Sequence, residues 1–442
     1  MVFVFLYFLF LAMIKVKEFK EPQQSQQSIA YLTPKMLSLP VSQHIGSPAT
    51  PCVKKTDTVK EGDLIAKISS FISASIHAPT NGKITDITNE NYPAFKNTFC
   101  INIKCEEPNN EYIPRTNINS LSSAQVLDII KNSGIVGMGG AGFPTHIKLN
   151  PPKKINTLLI NGCECEPYLS SDCRLMIERT KEIFKGIAII QKLINPKNII
   201  FAVEANKPEA IKKINLLLSL KKIAIPNLRL KILESKYPQG GEKQLIFNAT
   251  GCKIPPKKIP ADIGCLVHNV ATVFAIYEAV YLKKPLIERL VCFCGDALHT
   301  PKNIWVKIGT TLRELFNEKV LEFTQQPKRI ISGGPLMGLS LDSLDYPILK
   351  NNGGFLFLKS ELPDTSENPC IRCARCVDTC PMNLLPMQFV KLTKQQDYSK
   401  LNQFYIADCI ECGCCAYICP AKIPIVHYTK VGKAQLRKTN NL

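Results

Sequence analysis

Two short runs of cysteine carry the plainest chemistry in the sequence. CIRCARCVDTCP contains Cys370, Cys373, Cys376 and Cys380, and CIECGCCAYICP contains Cys409, Cys412, Cys415 and Cys419, offset by 39 residues at every position. Thiolates spaced this way share one tight loop, so three of them converge on a single iron-sulphur cubane. The fourth cysteine, followed by Pro381 or Pro420, serves the other cluster in this pattern. One 4Fe-4S cluster is therefore expected on Cys370, Cys373, Cys376 and Cys419, and a second on Cys380, Cys409, Cys412 and Cys415. Zinc competes as the metal, but paired runs of this spacing do not match its usual motifs. Cys414, between ligands, is expected to pack or hydrogen-bond. Coupled clusters of this kind move single electrons between a donor and an acceptor.

A second constellation lies upstream. GMGGAGFPTHIK, from Gly137 to Lys148, lacks side chains where a backbone must approach a phosphate or a ring closely. It is not the dinucleotide-binding fingerprint. The next strand, TLLINGCECEPY, delivers Asn161, Glu164 and Glu166 to a C-terminal strand end, where open α/β sheets bind ligands.

The Gly-rich loop, NGCECEPY, YPQGGEKQL and HNVAT together resemble the FMN- and NADH-binding core of the complex I flavin subunit. The order of segments is similar to that of the C subunits of Rnf ion-translocating electron-transport complexes, over about residues 36–430; the opening 30 residues do not match. The resemblance implies that Gly137, Gly139, Gly140, Gly142 and Lys148 cradle the FMN phosphate and ring. Asn161, Glu164 and Asn269 would contact the flavin, with Tyr237 nearby, and Glu166 and Glu242 would face the nicotinamide. Met138 stands where the complex I family has Arg, and Cys163 where it has Asp. The implied activity is that of a translocase subunit exchanging hydride between NAD(H) and FMN and relaying electrons through the clusters. Such hydride transfer needs no general acid or base, only stacked geometry. The implied partners are other subunits of a membrane complex, integral ones among them, with ferredoxin or another iron-sulphur subunit. The implied location is peripheral, on the cytoplasmic side of the inner membrane. Two other readings share these motifs: a soluble reductase of the cobalamin-reductase type, and an electron wire whose flavin pocket has decayed.

The elements that must position these groups give an α/β multidomain fold. Residues 1–35 form an apolar, Gln-rich N-terminus containing a linker from Pro22 to Ser28. Residues 36–110 look like a barrel-sandwich (lipoyl-like) module with no carrier Lys between Ser69 and Ile76. Strands and helices alternate over 120–284, the FMN/NADH-binding domain, which predicts a largely parallel sheet. Here Ser123 is expected to cap a helix that Gly134 ends, and Asp172 to cap a long helix reaching about Leu193. Residues 285–360 read as a β-grasp (SLBB-like) module, in which SGGPLMG at Ser332–Gly338 is expected to be a turn. Residues 361–430 form the double 4Fe-4S ferredoxin-type domain and 431–442 a tail. None of the six His has metal spacing, and His268 is expected in a pocket wall.

Composition narrows the classes further. Ordinary globular proportions, 45% apolar and 21% charged, exclude a disordered or collagen-like chain. The net charge of +19 comes from 55 basic residues of which 10 are Arg and hence 45 Lys, scattered without a base-reading module, so nucleic acid is not an expected partner. Nine of the 19 Cys fall between Cys370 and Cys419, which points to metal binding in a reducing compartment rather than a disulfide scaffold. The apolar run Met1 to Ile14 is shorter than the ~20 residues a spanning helix needs. It also lacks the marks of a signal peptide. A mis-assigned start is the first expectation there, with an interfacial anchor second.

Overall fold

A computed structural model of the chain describes residues 13–107, 112, 117–220, 225–361 and 366–439. Most of the apolar opening run and the last three residues lie outside the described residues. Among those described, no helix is long and apolar enough to cross a membrane.

Residues 36–107 pair into two antiparallel sheets of four and three strands. The longest hairpin, Gly82–Tyr92 with Phe95–Cys105, turns Ile84, Ile101 and Ile103 inward against Leu37, Leu39, Ile65 and Ile76, all of them buried. Alternation with period two puts one face of each strand into this core.

The α/β region has a sheet of four parallel strands in the order Leu228–Leu233, Asn198–Glu204, Thr157–Gly162, Cys265–Asn269. Thr157–Gly162 is central and nearly continuous in apolar residues, as expected of a strand covered on both faces. Cys265–Asn269 is too short to show a period, and its partner lies far away in sequence. Helix Val270–Leu282 follows at once, buried from Val270 to Val280.

Two helix starts differ from expectation. Ser122, not Ser123, caps Ser123–Asn132, because Gln125 reaches back to complete a capping box. Gly134 follows the helix end at φ +63°, the left-handed position that glycine favours. Asp172 does not cap a long helix: the chain breaks at Arg179 into Ser171–Glu178 and Thr180–Ile194. The N–H groups of Asp172 and Cys173 are instead taken by the Glu164 carboxylate. This frees the Asp172 side chain for a partner elsewhere.

The region expected to be a β-grasp module forms a six-stranded mixed sheet whose edge strand, Ile29–Tyr31, comes from the N-terminal segment and runs parallel to Lys302–Lys307. The expected linker Pro22–Ser28 is thus corrected: Glu21–Ser25 is a short helix with Gln23 buried. The Gln23 amide donates to the Phe19 and Tyr168 carbonyls. Polar residues here answer carbonyls of a neighbouring unit, so their polarity does not mark solvent.

In the cysteine region each run is followed by a helix, Pro386–Lys394 and Ile425–Lys438, and the two pack on each other. The sequence repeat is therefore a structural one.

Candidate functional site

Cys380 leaves its own run and joins Cys409, Cys412 and Cys415 around one small pocket, walled by Pro381, Leu384 and Phe389. In the other set, burial raises Cys376, and Cys419, Cys370 and Cys373 raise it further through space. Burial likewise raises Cys415, with Cys409, Cys412 and Cys380 adding to it. Thiols facing neighbouring sulphurs, as at Cys376 and Cys415, resist ionising, and a cationic core relieves that repulsion. Among the described residues no group of three or more His, Cys, Asp or Glu closes on a single ion. A lone zinc would need every sulphur at about 2.3 Å. Four thiols in each set, spaced as the paired runs space them, suit multi-iron cores instead, so the residues fit two 4Fe-4S clusters. Cys414 is buried and hydrogen-bonds Cys412, whose thiol it holds below the usual range. Hydrogen bonds to ligating sulphur tune cluster potential. Cys370 and Cys373 are exposed, while Cys380 and Cys412 are buried, so one set faces solvent and the other the interior.

The Gly-rich loop is tied down by Gly137 N–H to the Phe143 carbonyl (2.9 Å) and Met138 N–H to Thr272 Oγ1 (2.9 Å). A methyl group on Gly139 would lie 2.7 Å from Asn269 Nδ2, whereas one on Gly140 would meet nothing within 4 Å. The first glycine is thus required by packing and the second is not. Lys148 stands at the rim in an ion pair with Glu242 at 2.8 Å. His268 Nε2 and Thr145 Oγ1 are buried without a hydrogen-bond partner among the described residues. Burial and then the Lys148 charge hold His268 well below the usual imidazole range, so it is neutral. An open glycine wall, a cation at the rim and orphaned polar atoms nearby fit a flat aromatic group bearing a phosphate.

The other expected residues fall into two sets. Asn269 accepts from Ala271 N–H and donates to Asp172 Oδ2 at 2.6 Å. Asp172 is pushed up to about 7 by burial and the nearby Glu164. Asn161 donates to the Gly240 carbonyl, joining the central strand to the YPQGGEKQL segment. Glu164 caps the helix Ser171–Glu178. These side chains gather at one strand end with the Gly-rich loop. Tyr237 and Glu166 find their partners elsewhere, Tyr237 in the cysteine region and Glu166 in the Ser332–Gly338 segment. Tyr237 is buried and donates to the Cys412 carbonyl at 2.7 Å. The Glu166 carboxylate accepts from the N–H groups of Leu336 and Met337 at 3.2 and 2.9 Å.

The Ser332–Gly338 segment is therefore more than the expected turn: its N–H groups hold a carboxylate. A methyl group on Gly334 would lie 2.2 Å from Glu166 Oε2, and one on Gly413 would lie 2.8 Å from the Leu336 carbonyl. The loop is thus wedged between the flavin-side strand end and the second cysteine run. Lys243 pairs with Asp408 at 3.1 Å, and Gln244 donates to the Pro381 carbonyl at 3.3 Å, closing the same joint. Sequence reasoning missed Leu336, Met337 and Asn351, whose amide reaches the Gly140 carbonyl. The paired glycines of SGGPLMG were the signal that could have found Leu336 and Met337.

Fold and site together define a flavin and iron-sulphur electron-transfer protein. Three family models agree: the Nuo51 FMN-binding domain matches residues 130–278, the 4Fe-4S dicluster domain residues 369–423 and the RnfC barrel sandwich hybrid domain residues 10–108. The chain is 42% identical to the C subunit of the proton-translocating ferredoxin:NAD(+) oxidoreductase complex of Clostridium ljungdahlii, covering 84% of this chain and 81% of that one. It is 38% identical to the C subunit of the ion-translocating oxidoreductase complex of Rhodobacter capsulatus, covering 80% and 69%. The Pectobacterium atrosepticum relative is also 38% identical, over 94% of this chain but 60% of its own length. A solved NAD+-reducing [NiFe]-hydrogenase in the H2-reduced state shares the fold, with a TM-score of 0.50 and 16% identity over 73% of this chain and 62% of that one. The chain belongs to the C-subunit family of Rnf ion-translocating oxidoreductase complexes, and its cofactors are FMN and two 4Fe-4S clusters. The barrel-sandwich match starts at residue 10, which corrects the expectation that the opening 30 residues fall outside the family pattern.

Proposed function

We propose that the chain is the NADH-reactive subunit of a membrane-bound ion-translocating complex, peripheral on the cytoplasmic side of the inner membrane. In this reading integral subunits carry the ion, and ferredoxin or another iron-sulphur subunit exchanges electrons with the chain. FMN, when bound, converts the two electrons of a hydride from NADH into single electrons of the kind a 4Fe-4S cluster accepts, with NAD+ and a proton as the other products. Gly140 leaves room for the ring, while Lys148 and neutral His268 offer a cation and a hydrogen-bonding nitrogen to its phosphate. Lys148 reaches that role by exchanging its partner Glu242, which is then free to meet the nicotinamide.

The observation that carries this reading is the joint between strand end and cysteine run. Tyr237 hydrogen-bonds the Cys412 backbone, and the Glu166-bound loop presses on Gly413. Both keep water out of the short path to the buried cysteine set. The second cluster, on Cys380, Cys409, Cys412 and Cys415, is then the flavin-side one. The first, with Cys370 and Cys373 exposed, faces the partner. The test is anaerobic mixing of flavin-replete protein with NADH. Flavin absorbance should bleach and the clusters should then become reduced by electron paramagnetic resonance (EPR). A replete sample that does not bleach would sink the hydride-transfer reading.

A further inference from the structure

The segment from Ile14 to Tyr31 crosses three units. Ile14 exchanges both backbone hydrogen bonds with Tyr237, at 2.9 and 2.8 Å. Ile14 and Val16 pack beside Cys412, Cys414 and Cys165. Phe19 N–H donates to the Pro167 carbonyl at 2.8 Å, and its ring stacks on Tyr168 at 4.7 Å. Gln23 takes the Tyr168 carbonyl at 2.7 Å. Asn303 of the β-grasp sheet donates to the Gln23 carbonyl at 2.7 Å, ahead of the edge strand Ile29–Tyr31. The segment thus holds the backbone just beyond the strand end that carries Glu164 and Glu166.

At the centre of these contacts is Lys20, 3% exposed, whose ammonium donates to the Glu164 carbonyl. A second ammonium, that of Lys207, lies 3.4 Å from the same oxygen, but Lys207 is matched by Glu204 at 2.6 Å. Among the described residues Lys20 makes no ion pair. Its charge is felt at the strand end: burial raises Glu166 and Cys165, and Lys20 is among the groups that pull both back. A buried ammonium without a carboxylate is costly, and it persists where its field serves a nearby anion.

We propose that this N-terminal strap is a working part of the flavin site and that Lys20 is its positioning residue, fixing the Glu164–Glu166 backbone and supplying positive potential where electrons arrive. Reduction adds negative charge to the group bound at the strand end, and a fixed cation in a dry surround favours that addition. The strap also seals the gap between the flavin strand end and the second cluster with Ile14 and Val16. The proposal rests on the flavin reading of the strand end and does not require NADH to be the hydride source.

The test uses the full chain loaded with FMN and both clusters, in the variants Lys20→Met, Lys20→Gln and Lys20→Arg. Spectroelectrochemical titration reads the flavin potential without NADH, and fluorescence quenching reads FMN affinity of the flavin-free protein. Lys20→Met should lower the flavin potential and weaken FMN binding about tenfold, the scale of one hydrogen bond from a charged donor. Lys20→Gln keeps a donor to the Glu164 carbonyl without the charge; it should recover affinity yet leave the potential low. Lys20→Arg should restore both. A flavin potential equal to wild type in Lys20→Gln overturns the proposal, as does failure of Lys20→Arg to restore it. Should Lys20→Met not fold, the Gln and Arg pair decides. Failure of the NADH reading alone would appear as absent bleaching in wild type, with this potential series intact.

Discussion

Replacing either of two neighbouring glycines by alanine separates the ligand-facing wall of the Gly-rich loop from its packing side. At Gly140 an added methyl meets no atom of the protein within 4 Å, and the backbone is not in the positive-φ region. The folded protein should tolerate Gly140→Ala or gain about 0.4–1 kcal/mol from the stiffer unfolded chain. If the FMN ring lies against this residue, the methyl overpacks the contact at about 1–3 kcal/mol. That corresponds to roughly 5- to 150-fold weaker FMN binding. At Gly139 the methyl would sit 2.7 Å from Asn269 Nδ2, and Asn269 caps helix Val270–Leu282. Gly139→Ala should therefore lose about 1 kcal/mol of capping and a further 1–3 kcal/mol of overpacking. The domain would melt lower by about 2–4 °C per kcal/mol. Calorimetric titration of flavin-free protein with FMN, alongside thermal melts, reads both effects. Gly140→Ala binding FMN as tightly as wild type, with an unchanged melt, would refute the assignment of that wall to the flavin.

Crossed ligation is tested by Cys380→Ser and Cys419→Ser. Each should remove about half of the iron. Cys380→Ser should abolish the EPR signal of the cluster on Cys409, Cys412 and Cys415 while sparing the other; loss of the cluster on its own run would refute the crossing. Lys350 gives a pH prediction. Its ammonium joins Ser75 and Gly134 carbonyls from two other units, and burial lowers it from 10.5 to about 7. The unfolded chain keeps a proton between about 7 and 10.5 that the folded chain releases, so this group adds stability as pH rises through that window. Wild-type denaturation midpoints should rise relative to those of Lys350→Met from pH 7 to 10; a constant difference would show that Lys350 does not titrate there.

The sequence by itself determined the metal chemistry. Within each run the proposed ligands have two or three residues between them, so loop geometry brings them together, and the repeat is what proposes the crossing to Cys380 and Cys419. The parallel sheet was legible for the same local reason: strands buried on both faces read as apolar runs between amphipathic helices. Cys265–Asn269, five residues long, carried no such pattern. The edge strand Ile29–Tyr31 carried none either, since pairing and not composition makes it a strand. Only the tertiary structure decided where the residues of the site point. Tyr237 meets Cys412 across 175 residues, Glu166 meets Leu336 across 170, and Lys20 meets Glu164 across 144. Such contacts depend on how separately folded units pack, and each partner is a backbone group that any residue could supply. No spacing or residue type along the chain marks them in advance.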